Sequence, residues 1–238
     1  MSEVPDVVII TGASGALGSA LVERFAANGA RVVAVLRGPA GDAALDRVSP
    51  NVLQVRADTS DAEALRVALE RAQGEAGPAT GAVLTAGAWR GGHDFVSREA
   101  AADYRAVLDA NLESANVALR AIVPGMATRG SGSVVLVGSR SGVRPYGAKG
   151  DAAYAAAKAA LIALAQAIAA EVLPAGVRVN VILPSTIDTD ANRRAMPDAD
   201  FSSWVTSDSL AGVVGFLLSS GARDISGAAL PVYGRVNV

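Results

Sequence analysis

Two side chains one helical turn apart, Tyr154 and Lys158, have the types and spacing for acid–base chemistry. They lie in Tyr154-Ala155-Ala156-Ala157-Lys158, inside a strongly helical run, and an i, i+4 spacing puts both on one helix face. A phenol titrates near 10 and is a poor acid or base at neutral pH. An ammonium close by favours the phenolate and lowers that value. The phenol could then exchange a proton with a carbonyl or alcohol oxygen. In isolation the same spacing is met more often as a packed tyrosine with a lysine reaching outwards. The second set is Thr11-Gly12-Ala13-Ser14-Gly15-Ala16-Leu17-Gly18, which follows the apolar run Val7-Val8-Ile9-Ile10 and opens a helical pattern at Leu17, Leu21, Val22 and Phe25. Strand, glycine turn and helix is a usual way to hold a dinucleotide: glycines admit the pyrophosphate, and a helix N-terminus offers free N–H groups and partial positive charge. Any strand-to-helix turn favours glycine, so the placement carries more weight than the glycines themselves.

The elements that must position these groups alternate strictly. Strands are expected at Val7–Thr11, Arg31–Leu36, Asn51–Val55, Gly81–Thr85, Ser133–Val137, Arg178–Leu183 and Ala228–Val232. Helices are expected at Gly15–Asn28, Asp61–Glu75, Glu99–Ala110, Leu112–Arg129, Ala152–Leu173 and Ser207–Ser219. Several strands are continuous Val/Ile/Leu runs, the pattern of a parallel sheet buried on both faces. The expected fold is α/β, a Rossmann-like doubly wound parallel sheet of about seven strands with helices on both faces, as one domain over 1–238. The Ala152–Leu173 helix is small and apolar nearly all round, which suggests that a partner subunit covers its outer side. A solvated alanine-rich helix is the plainer alternative.

Bulk composition excludes several classes. Net charge is −2 and no basic stripe appears, which speaks against nucleic acid. There are no cysteines and a single histidine, His93, so no thiolate chemistry and no multi-histidine metal site are expected. The nearest thing to a membrane span, Ala159–Ala170, is 12 residues long, flanked by Lys158 and Glu171 and interrupted by Gln166, short of the roughly 20 apolar residues a span needs. Met1–Asp6 lacks the basic and apolar regions of a signal peptide. A cytoplasmic enzyme acting on a small molecule is the expectation.

Taken in order along the whole chain, these motifs resemble the short-chain dehydrogenase/reductase family in its short single-domain form. The matching elements are the Thr11–Gly18 turn, Asp58 after the third strand, Ala86-Gly87 after the fourth, Asn111 mid-helix, Ser139 after the fifth, Tyr154 with Lys158, and Pro184 to Thr189 after the sixth. Ser226-Gly227-Ala228-Ala229-Leu230 fits the family's last strand. The resemblance implies that Tyr154 is the acid/base, that Lys158 holds the nicotinamide ribose and keeps the phenol acidic, and that Ser139 hydrogen-bonds the substrate carbonyl. Asn111 would anchor a water chain that resupplies protons. Gly12, Ser14, Gly15, Ala16, Leu17 and Gly18 would cradle the pyrophosphate. Asp58, with Thr59, would meet the adenine. Ala86, Gly87 and Pro184 would line the cofactor, and Ile187 and Thr189 would contact the carboxamide.

Departures from the family pattern sharpen the reading. Ala16 stands where the family usually has glycine. Ser139 and Tyr154 are 15 residues apart, which implies an enlarged loop and leaves Ser141 as a fallback for the serine. The second strand ends in Val35-Leu36-Arg37 without the carboxylate that bonds a ribose 2′-hydroxyl, and a guanidinium there suits a 2′-phosphate, so NADP(H) is favoured over NAD(H). The blocks Ala86–Gly92 and Met196–Trp204 resemble the dihydropteridine reductase branch. They suggest Trp89 and Trp204 as substrate residues, with Trp89 stacking on a flat ring. The reading reached is an NADP(H)-dependent carbonyl/alcohol oxidoreductase, a homo-oligomer (dimer or tetramer). A quinonoid-pterin reductase and a non-catalytic NADP(H) sensor are the alternatives.

Overall fold

Continuous apolar strands need cover on both faces, and the chain supplies it by alternation. The computed structural model describes residues 5–37, 45 and 49–236. In chain order it contains β1 (Val7–Thr11), α1 (Ala16–Ala27), β2 (Arg31–Leu36), β3 (Val52–Arg56), α2 (Ala62–Ala76), β4 (Gly81–Leu84), α3 (Arg98–Leu108), α4 (Ser114–Arg129), β5 (Gly132–Val137), α5 (Arg140–Val143), α6 (Ala152–Val172), β6 (Val177–Pro184), β7 (Ile187–Asp188), α7 (Asp190–Ala195), β8 (Val205–Thr206), α8 (Ser207–Leu218) and β9 (Ala229–Val232). Seven strands form one sheet in the order β3-β2-β1-β4-β5-β6-β9, every pair parallel. Along β1, Val7 and Ile9 join one apolar layer with α2, α4 and α6, while Val8 and Ile10 join the other with α1 and α8. The strand order reverses between β1 and β4, which opens a crevice at the carboxyl ends of the strands.

Three features depart from the sequence expectation. The two helices expected around Asn111 are one rod, joined by a π-helical turn at Asp109–Glu113. Such turns widen a helix locally and tend to mark functional positions. A second, two-stranded parallel sheet, β7 with β8, forms beyond β6 and carries α7 between its strands. The third concerns α6. With its 3-10 extension it covers Ala152–Ala175 at a mean hydropathy of 1.7, long and apolar enough by composition to cross a bilayer, which the 12-residue count understated. Its inner face, with Ala155, Ala157, Lys158, Leu161, Ile162, Ala165 and Ala169, is buried in the core of the fold.

Candidate active site

The crevice is a cavity of about 950 Å³ at the strand carboxyl ends. One end is built by the first strand-to-helix turn. Gly12 has φ +67, and a Cβ there would come within 2.8 Å of Ala86 N. A Cβ on Gly18 would overlap Gly12 O, so α1 approaches the turn only because Gly18 lacks one. α2, α3, α7 and α8 are each capped by a side chain, from Asp61, Ser97, Thr189 and Thr206. α1 begins at the glycine Gly15, with no side-chain cap and no acidic residue in its first turn. Backbone donors left open at a helix N-terminus suit an anion, so the turn fits a pyrophosphate. Gly12, Ser14, Gly15, Ala16, Leu17 and Gly18 all line this end, and the Ala16 methyl is accommodated at the open first turn. Exposed Arg37 borders it from the end of β2, with Thr59 across from it.

The middle of the cavity is closed by the loop after β4. Thr85 Oγ1 donates to Thr11 O at 2.6 Å and ties this loop to β1. Asn111 is buried at the π-turn, and its Nδ2 donates to Ala88 O at 2.7 Å and to Val107 O at 2.9 Å. Its Oδ1 is buried without a partner. A Cβ on Gly87 would stand 2.7 Å from that Oδ1 and 3.7 Å from Lys158 Nζ, so this glycine keeps open the space between the two groups.

At the far end β5 delivers Ser139 and α6 delivers Tyr154 and Lys158. The Ser139 hydroxyl and the Tyr154 phenol come to the same cavity, despite the enlarged loop between them, and the hydroxyl favours the phenolate. Ser139 Oγ also accepts from Ser141 N at 3.2 Å, so Ser141 supports Ser139 with its backbone while lining the cavity beside it. Lys158 is buried and donates to Val137 O at 2.8 Å. Its Nζ lies 5.6 Å from the centre of the Tyr154 ring. This corrects the expected electrostatics. The pair shares a helix face, yet the phenol is raised above its ordinary value: burial disfavours the phenolate, the Ser139 hydroxyl offsets only part of that, and the Asp151 charge adds to it. Burial also pulls the Lys158 ammonium down to about 8.

Pro184, Ile187 and Thr189 line the cavity as the sequence suggests, and Thr189 Oγ1 also caps α7 by accepting from Asn192 N at 3.1 Å. Trp89 lines the cavity with 58% of its surface exposed. Two expected residues lie elsewhere. Asp58 is exposed outside the cavity wall, where its Oδ1 accepts from Ser60 N at 2.9 Å; this bond, the Ser60 hydroxyl and the Arg37 charge hold its carboxyl below the usual range. Trp204 packs on Phe201 with ring centres 4.9 Å apart and is not part of the wall; Phe201 in turn lies under the Arg193 guanidinium. Sequence reasoning missed Arg140 and Asp151, which line the cavity together with Asn192, Ala195 and Met196. Asp151 alone carried a signal, a carboxylate one helical turn before Tyr154.

Comparison with known proteins agrees with this architecture. Residues 6–200 match the family model described as short chain dehydrogenase. An acetoacetyl-CoA reductase from Synechocystis is 30% identical over 96% of this chain and 95% of its own length. A 3-oxoacyl-acyl-carrier-protein reductase from Mycobacterium tuberculosis is 32% identical over 95% of this chain and 91% of its own. The crystal structure of a short-chain dehydrogenase/reductase family oxidoreductase from Burkholderia thailandensis is 37% identical, covers 98% of this chain and 92% of its own, and superposes with a TM-score of 0.85. A match this long, on a fold that brings the serine, tyrosine and lysine to one crevice, means that the chain belongs to the short-chain dehydrogenase family of oxidoreductases.

Proposed function

We propose that the chain interconverts a carbonyl and an alcohol with NADP(H). The observation that carries this reading is one cavity running from the uncapped α1 N-terminus to Ser139, Tyr154 and Lys158. The dinucleotide, when bound, supplies or accepts the hydride. Gly12 to Gly18 hold its pyrophosphate, and Arg37 meets the 2′-phosphate. Ala86 and Gly87 flank it at mid-cavity, and Ile187 and Thr189 hold its carboxamide. Because the phenol is raised, Tyr154 enters a reduction protonated and gives its Oη proton to the carbonyl oxygen as negative charge gathers there. The Ser139 hydroxyl polarises the same oxygen. The Lys158 ammonium, charged below about pH 8, stabilises the phenolate left behind. Asn111 Oδ1, with no protein donor, accepts from water on the route that returns a proton to Tyr154 by way of Lys158.

The names of the relatives make a 3-oxoacyl thioester the first substrate to assay. The flat face of exposed Trp89 keeps a pterin as second reading, against which the Ser139 hydroxyl argues, since a quinonoid ring needs no carbonyl polarisation. We place the protein in the cytoplasm as a single-domain homo-oligomer. The test follows NADPH consumption with 3-oxoacyl thioesters, simple ketones and quinonoid dihydropterin. Tyr154→Phe should lower turnover at least about 100-fold with NADPH binding kept, and Arg37→Ala should weaken NADPH about tenfold while leaving NADH unchanged. Turnover that survives Tyr154→Phe would remove the assigned acid.

A further inference from the structure

Asp151 stands at the N-terminus of α6, three residues before Tyr154, yet its carboxylate makes no capping bond to that helix. Its Oδ1 instead accepts the Gly92 N–H at 3.2 Å, and the same N–H also reaches Gly150 O at 3.1 Å. Glycines make the contact possible from both sides. A Cβ on Gly91 would overlap Asp151 Oδ1 and stand 3.2 Å from Trp89 Nε1. Gly150 is left-handed, with φ +85, and a Cβ there would lie 3.2 Å from the Gly92 backbone. The loop after β4 is therefore held before Trp89 by Thr85 on β1 and by Asn111 Nδ2 on Ala88 O, and after it by the exposed Arg90–Asp103 pair and by Asp151 and Gly150 O at the start of α6. Trp89 lies between these ties, lines the same cavity as Asp151 and Tyr154, and is too exposed to be fixed by core packing.

We propose that Asp151 is a positioning residue that clamps the Trp89–Gly92 loop to the start of the catalytic helix, making Trp89 a fixed wall that selects flat, ring-bearing carbonyl substrates. The selectivity half rests on the oxidoreductase reading above; the clamp half does not. A loop loosened at its Gly92 end would have to be ordered by each substrate that uses Trp89, and that ordering cost would weaken binding. Small aliphatic substrates that do not reach the indole would escape it.

The test uses a Trp204→Phe background, so that Trp89 is the only indole emitter. Asp151→Ala should red-shift the Trp89 emission and raise its quenching by acrylamide. It should also raise KM for an aryl ketone by roughly fivefold relative to KM for a small aliphatic ketone, while the effect of the lost carboxylate charge on Tyr154 is common to both substrates. Asp151→Asn, which keeps an acceptor for Gly92 N–H, should restore both readouts. Gly91→Ala, which pushes the carboxylate away from the other side, should reproduce Asp151→Ala. Unaltered emission in both Asp151→Ala and Gly91→Ala overturns the clamp. Equal KM effects on both ketones overturn the selectivity. A parent protein inactive on every carbonyl overturns the oxidoreductase reading and the selectivity built on it, while the emission measurements still decide the clamp.

Discussion

Lys158 shows what the site costs the fold. Its ammonium is buried with one neutral acceptor, Val137 O, and the face of the Tyr154 ring for company. The fall of its pKa from 10.5 to about 8 corresponds to about 3 kcal/mol of penalty on the charged form. Between about pH 8 and 10.5 the unfolded chain holds a proton that the folded chain has released, so stability rises with pH through that window. Below about pH 8 both states are protonated and the folded state carries the whole penalty. Lys158→Met should therefore lose at least about 100-fold in turnover yet gain about 1–2 kcal/mol at pH 7 after the loss of the Val137 bond, a Tm rise of roughly 2–8 °C. Melting curves from pH 7 to 10.5 should show the gap between variant and parent closing as pH passes 8. A variant less stable than the parent at pH 7 would mean that the ammonium is not a burden on the fold. The i, i+4 spacing put both side chains on one face in the sequence reading, and they are. The direction of the phenol's shift was not legible there, because it depends on how much water β5 and the loop after β4 leave around the ring.

At the scale of elements, apolar runs and glycine placement carried most of the information. The seven long strands and the six longer helical patterns lie within about two residues of expectation because each is an uninterrupted periodic segment. β7, α7 and β8 were missed because they are short and set by the pairing of Ile187 and Asp188 with Val205 and Thr206 across the intervening segment. The π-turn has no pattern of its own, and only the buried amide of Asn111 marks it. The first turn was legible because glycine is required there, and that requirement is testable. An alanine Cβ at Gly18 meets backbone, Gly12 O and Ala13 Cα, neither of which can swing aside. Gly18→Ala should cost about 1–3 kcal/mol and weaken NADPH binding at least about tenfold. Gly74, inside α2, has nothing within 4 Å of such a Cβ. Gly74→Ala should instead stabilise by about 0.5–1 kcal/mol with binding unchanged. Chemical denaturation and NADPH fluorescence titration separate the two, and equal effects would mean that the turn's close approach is not what the glycine serves.

For the whole molecule, the question is what lies against the outer side of α6. The helix that carries Tyr154 and Lys158 inwards presents Ala152, Ala156, Ala159, Ala163, Ala167 and Ala170 outwards, all exposed and spaced by three or four residues. A face of methyl groups lets a second helix approach to about 8 Å, and a two-fold axis would set α6 against its own copy. Such a contact would also stiffen the helix on which the proton transfer depends, tying assembly to activity. If the face is merely solvated, Ala163→Arg at its middle changes stability by less than about 0.5 kcal/mol and leaves the mass in solution alone. If a copy covers it, the new guanidinium is forced into an apolar contact with no counter-ion, and the assembly comes apart. The expected outcome is a parent protein that sediments as a dimer or tetramer, with a Tm that falls on dilution. Ala163→Arg should sediment as a smaller species with lower kcat. A parent protein that stays monomeric at micromolar concentration, with a Tm independent of dilution, would leave these alanines to the solvent and the catalytic helix to be held from its inner face alone.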